Sequence, residues 1–151
     1  MDIQILEQKS HNARLLFSEL GESIYSWQGK QSTLFDLIRT SNSLELENNY
    51  TYFYFNKSNE DEILLGVEIR GSDSRILDLA PDIQLIDLYP EIVYSFNINN
   101  FEDINLGKLL EVESDLRIEV GQKRDLSPIW RLKRSHLHKE LLLEFFRNTP
   151  F

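Results

Sequence analysis

The sequence predicts a single α+β domain: two N-terminal helices, a mainly antiparallel sheet of about five or six strands, and a C-terminal amphipathic helix packed on the sheet. Three observations lead to this prediction. Apolar residues recur with a helical period in the first forty residues, with a period near two from Tyr50 onward, and with a helical period again after Ser127. At 151 residues, the chain has the length of one domain, so we expect residues 1–151 to share one core.

The first predicted helix follows a short possible strand at Ile3 to Leu6. Its cap is Ser10 or Asn12, and its apolar residues are spaced i, i+3, i+4 and i+7. These residues are Ala13, Leu16, Phe17 and Leu20. Gly21 favours an end there, but Ile24 and Trp27 continue the apolar stripe, so one long helix and a broken helix are both open.

A second, shorter helix is predicted just after the first. Thr33 and Asp36 have the spacing of a capping box ahead of two apolar residues, and the helix is expected to end near residues 40–42. Together the two helices would cover one face of a sheet.

The stretch Tyr50 to Phe55 has five aromatic residues among six and predicts a central strand. Side chains alternate along a strand, so Tyr50, Tyr52 and Tyr54 share one face. The phenylalanine face is expected to be core. The tyrosine face is either a second packed face or an exposed recognition surface.

Further strands are expected downstream of a polar loop at residues 56–61. Alternation predicts strands at 62–69, 76–79, 92–98 and 116–120, while 83–88 fits a strand and a helix equally well. Residues 99–100 are expected to cap a short helix that runs to about Leu110, weakened by Gly107.

The C-terminal segment is predicted to be a helix that begins at Ser127–Pro128, a favourable N-cap and first-turn pair. Its apolar face would be broad, with basic residues on the opposite side. The residues of that face are Leu137, Leu141, Leu142, Phe145 and Phe146.

Charge is unevenly distributed along the chain, whose net charge is −9. Ser41 to Glu119 holds 17 acidic and 5 basic residues, whereas Val120 to Phe151 holds 7 basic and 3 acidic residues. An acidic surface repels nucleic acid and anionic membranes and attracts a basic partner. The absence of cysteine, of a signal segment and of a long apolar run favours a soluble cytoplasmic protein.

No motif of catalysis, metal binding or cofactor binding is found, so the sequence predicts no enzyme, no metal site and no cofactor. His136 and His138 would point apart on the predicted helix. The run Glu60-Asp61-Glu62 lacks the glycine of a calcium loop and is expected to form a solvated hairpin tip. The basic segment around Trp130 has the residue types of a nucleic-acid patch, but pairing with the acidic body explains it more simply.

A small acidic protein-binding module is the predicted function. In size, acidity, lack of cysteine and predicted α+β class, the chain resembles bacterial immunity proteins, which neutralise a toxin domain, including those of contact-dependent inhibition systems. The resemblance implies occlusion of a basic, nuclease-type toxin. The predicted partner-binding residues are Tyr50, Tyr52, Tyr54, Glu60, Asp61, Glu62 and Glu68. A dimeric secretion chaperone or adaptor, and an enzyme with a scattered carboxylate or histidine site, are the alternatives; the oligomeric state is open.

Overall fold

The computed structural model describes residues 4–7, 14–21, 27–73, 75, 82–98, 106–119, 121, 126–137 and 140–151. Within these ranges the elements are β1 (Gln4–Glu7), β2 (Arg14–Gly21), α1 (Trp27–Thr40), β3 (Leu44–Leu46), β4 (Tyr50–Asn56), β5 (Asn59–Gly71), β6 (Ile83–Asp87), β7 (Ile92–Ile98), α2 (Leu106–Glu119), β8 (Ile129–Ser135) and β9 (Leu141–Phe146).

All nine strands belong to one sheet in which every pairing is antiparallel. The strand order is β1-β7-β9-β8-β4-β5-β2-β6, and β3 pairs with the far end of β5. The predicted fold class is therefore wrong: the described chain is mostly sheet with two helices, rather than two N-terminal helices, five or six strands and a C-terminal helix.

The sheet is strongly curled, and the connection from β6 to β7 shows why. Asp87 and Ile92 are five residues apart, so at most about 18 Å of chain joins them. In the strand order six spacings separate these two strands, which would be about 29 Å in a flat sheet. The connection is possible only because the two ends of the sheet bend towards each other. Leu88, next to β6, accordingly packs in one cluster with Val93 of β7 and Phe146 of β9.

The curl creates an outer face covered by the helices and an inner face that no described helix covers. Helix α1 packs Leu34 and Ile38 on the outer face near Phe53. Helix α2 packs Leu109 and Leu116 on the same face in a second cluster. The sheet side of that second cluster consists of Tyr94, Phe96, Trp130, Leu143 and Phe145.

The first predicted helix is wrong, because residues 14–21 form strand β2. Leu16 packs on the outer face and Leu15 and Phe17 pack on the inner face. Both faces of β2 are packed, so its apolar residues do not alternate with polar ones. The second predicted helix is present as α1, although it begins earlier, at Trp27.

The predicted C-terminal helix is also wrong, because residues 129–146 contain the hairpin strands β8 and β9. Leu141, Phe145 and Phe146 satisfy a helical spacing by coincidence. In β9 adjacent apolar residues face opposite sides of the sheet, and both sides are packed. The predicted N-cap residue, Ser127, instead accepts a hydrogen bond from the backbone N–H of Ile129 at the start of β8.

Residues 116–119 lie in α2, so the strand predicted at 116–120 is wrong as well. The segment 83–88, left open between strand and helix, forms β6. The predicted strand at 76–79 and the start of the predicted helix at 99–105 lie outside the described residues. Among the described helices, none is long and apolar enough to cross a membrane.

Candidate functional site

The inner face of the curled sheet contains a buried cluster of charged and hydroxyl side chains from four strands. Its members are Tyr52 and Tyr54 of β4, Glu68 of β5, Arg131 of β8 and Glu144 of β9. Each is at most 9% exposed. Buried charges are stable only when they are paired or hydrogen-bonded, so the contacts of this cluster decide what it can do.

Arg131 and Glu144 form the centre of the cluster. Nε of Arg131 donates a 2.8 Å hydrogen bond to Oε1 of Glu144, and one terminal nitrogen of Arg131 donates to the Tyr54 hydroxyl at 3.3 Å. The guanidinium carbon lies 4.7 Å from the ring centroid of Tyr52 and 5.0 Å from that of Phe146. The cation is thus held between two aromatic rings and against one carboxylate.

Strand register produces this pairing. Arg131 is directly opposite Tyr54 on one side and Glu144 on the other, so all three point to the inner face. Its neighbours Trp130 and Leu132 point outward to the helix-covered clusters. The missed sequence signal was the alternation of Trp130 and Leu132 with Arg131 and Lys133, which is the period of a strand.

Glu68 lies closer to the surface than the central ion pair. Nδ2 of Asn48 lies 3.1 Å from Oε2 of Glu68 and 3.1 Å from the Tyr52 hydroxyl. Burial raises the pKa of Glu68, an effect that Arg131 and the Tyr52 hydrogen bond only partly oppose. Glu68 is therefore a carboxyl group that holds its proton at higher pH than an exposed glutamate.

The pKa values of Tyr52, Tyr54 and Arg131 are shifted in directions that keep the ordinary charge of each group. Burial raises the pKa of Tyr54 to about 12, although Arg131 counteracts the shift. Burial also raises the pKa of Tyr52. Burial lowers the pKa of Arg131, but the adjacent Glu144 carboxylate and the two tyrosines outweigh it, and the net shift is upward. Both phenols stay protonated and Arg131 stays charged, so Glu68 is the group with acid–base capacity.

The tyrosine face, left open by the sequence, is a packed face. Tyr52 and Tyr54 are 3% and 2% exposed, and Tyr50 is half-buried with Nζ of Lys133 4.1 Å from its ring centroid. In this conformation the first two cannot contact a partner. The assignment of these residues to a partner interface stays a prediction.

The polar loop predicted at residues 56–61 is only a tight turn at residues 57–58, and residues 59–71 form β5. Glu62 is half-buried, and its carboxylate lies 3.5 Å from Nδ2 of Asn59. Glu60 and Asp61 belong to β5 by their backbone, while their side chains lie outside the described part of the structure.

His136 directly follows strand β8 and is not on the helix that the sequence predicts. Its Nε2 lies 2.8 Å from Oγ1 of Thr51, and its ring packs edge-on against Phe35 at 5.2 Å. Burial lowers the pKa of His136. His11 and His138 lie outside the described residues, and within the described ranges no group of three or more histidine, aspartate or glutamate side chains is placed to hold a metal ion.

The described cations of the C-terminal segment are engaged with aromatic rings or carboxylates of the same chain. The Arg134 guanidinium lies 4.6 Å from the ring centroid of Trp27, and Arg147 donates to the Tyr94 hydroxyl at 2.9 Å. Together with Arg131 and Lys133, these residues hold the sheet and helix α1 together. The segment is therefore not a free basic patch.

Helix α2 has an exposed outer face with two parallel rows of side chains. One row contains Leu110 and Ile118, which are 45% and 79% exposed, with Ser114 between them. The other row contains the exposed acids Glu111, Asp115 and Glu119. The sequence does not predict this surface, because its patterns place Leu110 in a helix and Ile118 in a strand.

A shallow apolar groove of about 340 Å³ lies between α1 and β3. It is lined by Phe35, Ile38, Arg39 and Leu46. Among the described residues that line it there is no carboxylate, hydroxyl or histidine, so these residues supply no group for acid–base chemistry.

Comparisons with known proteins give a fold and no family. No protein-family model matches the chain, and no curated protein matches it in sequence. Among solved structures, the chain is similar to a hydrolase from Listeria innocua, with a TM-score of 0.58 and 8% identity over 95% of this chain and 89% of the other. At this identity the similarity shows a shared fold.

The similarity nevertheless corrects one prediction. The sequence predicted that the chain is not an enzyme, on the ground that no catalytic motif is present. A chain of this fold is a hydrolase, so the missing motif does not support that conclusion.

Proposed function

We propose that the chain is a protein-binding module for a basic protein partner. The observation that supports this proposal best is the charge of the surface: among the described side chains, ten acidic ones are exposed and five basic ones are exposed. The net charge of −9 therefore lies mainly at the surface.

Several basic side chains are paired with carboxylates or packed on aromatic rings, on both faces of the sheet. Arg131 is 4% exposed and paired with Glu144, and Lys57 donates to Glu113 at 2.8 Å beneath α2. Lys133 and Arg134 lie over tyrosine and tryptophan rings. A surface on which exposed carboxylates outnumber exposed cations attracts a cationic protein and accelerates the encounter.

The finer proposal is an immunity-type inhibitor that occludes a basic, nuclease-type toxin domain. Its support is the resemblance in size, acidity and absence of cysteine to such proteins, together with the acidic exterior. Carboxylates of the inhibitor would occupy the position in which such a toxin binds the phosphates of its substrate.

The test is co-expression with the product of the neighbouring gene, followed by calorimetry of the purified pair at 50 and 300 mM NaCl. A 1:1 complex that weakens tenfold or more at the higher salt supports the proposal, because screening acts on charge attraction. A neighbouring product that is not basic, or one that forms no complex at 50 mM NaCl, contradicts the immunity form. Affinity that does not depend on salt contradicts the electrostatic basis.

A hydrolase is the second candidate, and the Glu68 site favours it. Glu68 is a buried carboxyl with a raised pKa beside a phenol and a guanidinium, which are the groups needed to activate water and to stabilise a developing negative charge. The fold shared with a hydrolase is consistent with this reading.

Chromogenic esters, phosphoesters and glycosides test the second candidate. Turnover that falls a hundredfold or more in Glu68→Gln and is unchanged in Glu140→Gln, which removes an exposed carboxylate, supports it. Turnover no faster than in buffer, or equal turnover in both variants, contradicts it.

A further inference from the structure

We propose that the outer face of α2 is the surface on which the basic partner docks, with the partner placing an apolar side chain between Leu110 and Ile118 and its Lys or Arg side chains against Glu111, Asp115 and Glu119. This inference rests on the proposed protein-binding function and assigns it a site.

The two rows follow from helix geometry. Residues four apart lie about 6 Å from each other on one side of a helix, so each row is about 12 Å long. The Leu110 row and the Glu111 row start one residue apart and therefore run side by side. A single exposed apolar residue is ordinary on a protein surface, but two aligned with a row of carboxylates have the composition of an interface centre and its charged rim.

The opposite face of α2 is anchored, so the outer face is presented rigidly. Glu113 is 5% exposed and accepts hydrogen bonds from Nζ of Lys57 at 2.8 Å and from Nε1 of Trp130 at 3.0 Å. Leu109 and Leu116 are 3% and 0% exposed against the sheet. A helix fixed in this way loses little conformational entropy when a partner binds, which favours affinity.

Charge decides which class of partner fits. The three acids of the second row are all exposed, and Asp115 is three residues from Ile118 and therefore next to it on the helix surface. An acidic protein surface, nucleic acid or an anionic membrane would be repelled by this row. A cationic protein surface with an apolar residue at its centre complements both rows.

Four single variants test the site. Ile118→Ser removes an apolar side chain of α2 that is 79% exposed, and its control is Leu137→Ser, which removes a 70% exposed leucine elsewhere. Asp115→Lys reverses one charge in the acidic row, and its control is Glu140→Lys, at an exposed glutamate beyond β8. All four positions are exposed, so the variants are expected to fold; far-ultraviolet circular dichroism and thermal unfolding verify this.

Binding of the purified product of the neighbouring gene is measured by calorimetry at 50 mM NaCl. We expect Ile118→Ser and Asp115→Lys each to raise Kd tenfold or more, and the two controls to change it less than threefold. Asp115→Lys should also reduce the salt dependence of Kd. If the complex forms and both α2 variants bind as tightly as the unaltered chain, the docking surface is wrong while the proposed function stands. If no complex forms with the unaltered chain, the proposed function fails and this inference fails with it.

Discussion

The guanidinium of Arg131 is hydrogen-bonded to the carboxylate of Glu144 at 2.8 Å, and the two side chains are 5% and 2% exposed. A buried ion pair costs desolvation on both sides, so removing one partner leaves a charge without compensation, whereas removing both does not. We expect Arg131→Met to lower the free energy of unfolding by about 3–5 kcal/mol. The double variant Arg131→Met/Glu144→Leu should be more stable than either single variant, as measured by urea unfolding.

The control for these Arg131 and Glu144 variants is the ion pair between Arg39 and Asp36, whose side chains are 74% and 64% exposed. Solvent screens an exposed pair, so Arg39→Met should cost less than about 1 kcal/mol. A loss below 1 kcal/mol in Arg131→Met as well would show that Glu144 becomes hydrated or protonated without difficulty, contrary to the buried position described.

Gly71, the last residue of β5, lies opposite Leu44 of β3 in a conformation that requires glycine. Its φ is 89°, and a Cβ atom there would collide with the backbone carbonyl oxygen of Ser43. Gly71→Ala should therefore lower the free energy of unfolding by about 1–3 kcal/mol. In α1, a Cβ atom at Gly29 would meet nothing within 4 Å, so Gly29→Ala should stabilise the chain by about 0.4–1 kcal/mol. Equal effects of the two changes in thermal unfolding would contradict the requirement for glycine at position 71.

Glu68 makes stability depend on pH in a defined direction. Its folded pKa is raised above the usual 4.5, so the folded chain binds this proton more strongly than the unfolded chain does. The resulting stabilisation is complete below pH 4.5 and is lost as pH rises through the folded pKa. Glu68→Gln cannot titrate, so its stability relative to the unaltered chain should improve as pH rises from 4.5 to 8. Urea unfolding across this range measures the difference, and a constant difference would contradict the raised pKa.

Glu113 holds α2 to the sheet through two hydrogen bonds, from Lys57 and from the Trp130 indole. Glu113→Ala leaves the buried indole N–H without its acceptor and should cost about 1–3 kcal/mol. Ser114→Ala, at the adjacent exposed position, should change stability by less than about 0.5 kcal/mol. Indole fluorescence monitored during urea unfolding reports directly on this contact. The anchoring role is refuted by a Glu113→Ala variant as stable as Ser114→Ala.

The sequence by itself determined the features that depend on composition and on one-sided periodicity. The strand at Tyr50 to Phe55 and the helix over Thr33 to Thr40 are present in the fold. The excess of acids in the middle of the chain and its net charge of −9 are also properties of the sequence alone.

Only the tertiary structure decided the identity of β2 and β9. A strand shows alternating hydropathy when one of its faces meets water, but these two are packed on both faces of the curled sheet. Apolar residues at adjacent positions then imitate the stripe of a helix. Leu15 and Leu16, for example, are both 0% exposed although they point to opposite sides.

The two candidate sites likewise depend on contacts that the sequence leaves open. Arg131 meets Glu144 and the tyrosine face because two hairpin strands align them across the sheet, and this pairing removes from the surface a cation that composition counts as available. Leu110 and Ile118 share a row only because residues 106–119 form one helix, and Glu113 fixes that helix with the row facing outward. Composition determines how many charges the chain carries, and packing decides which of them a partner can reach.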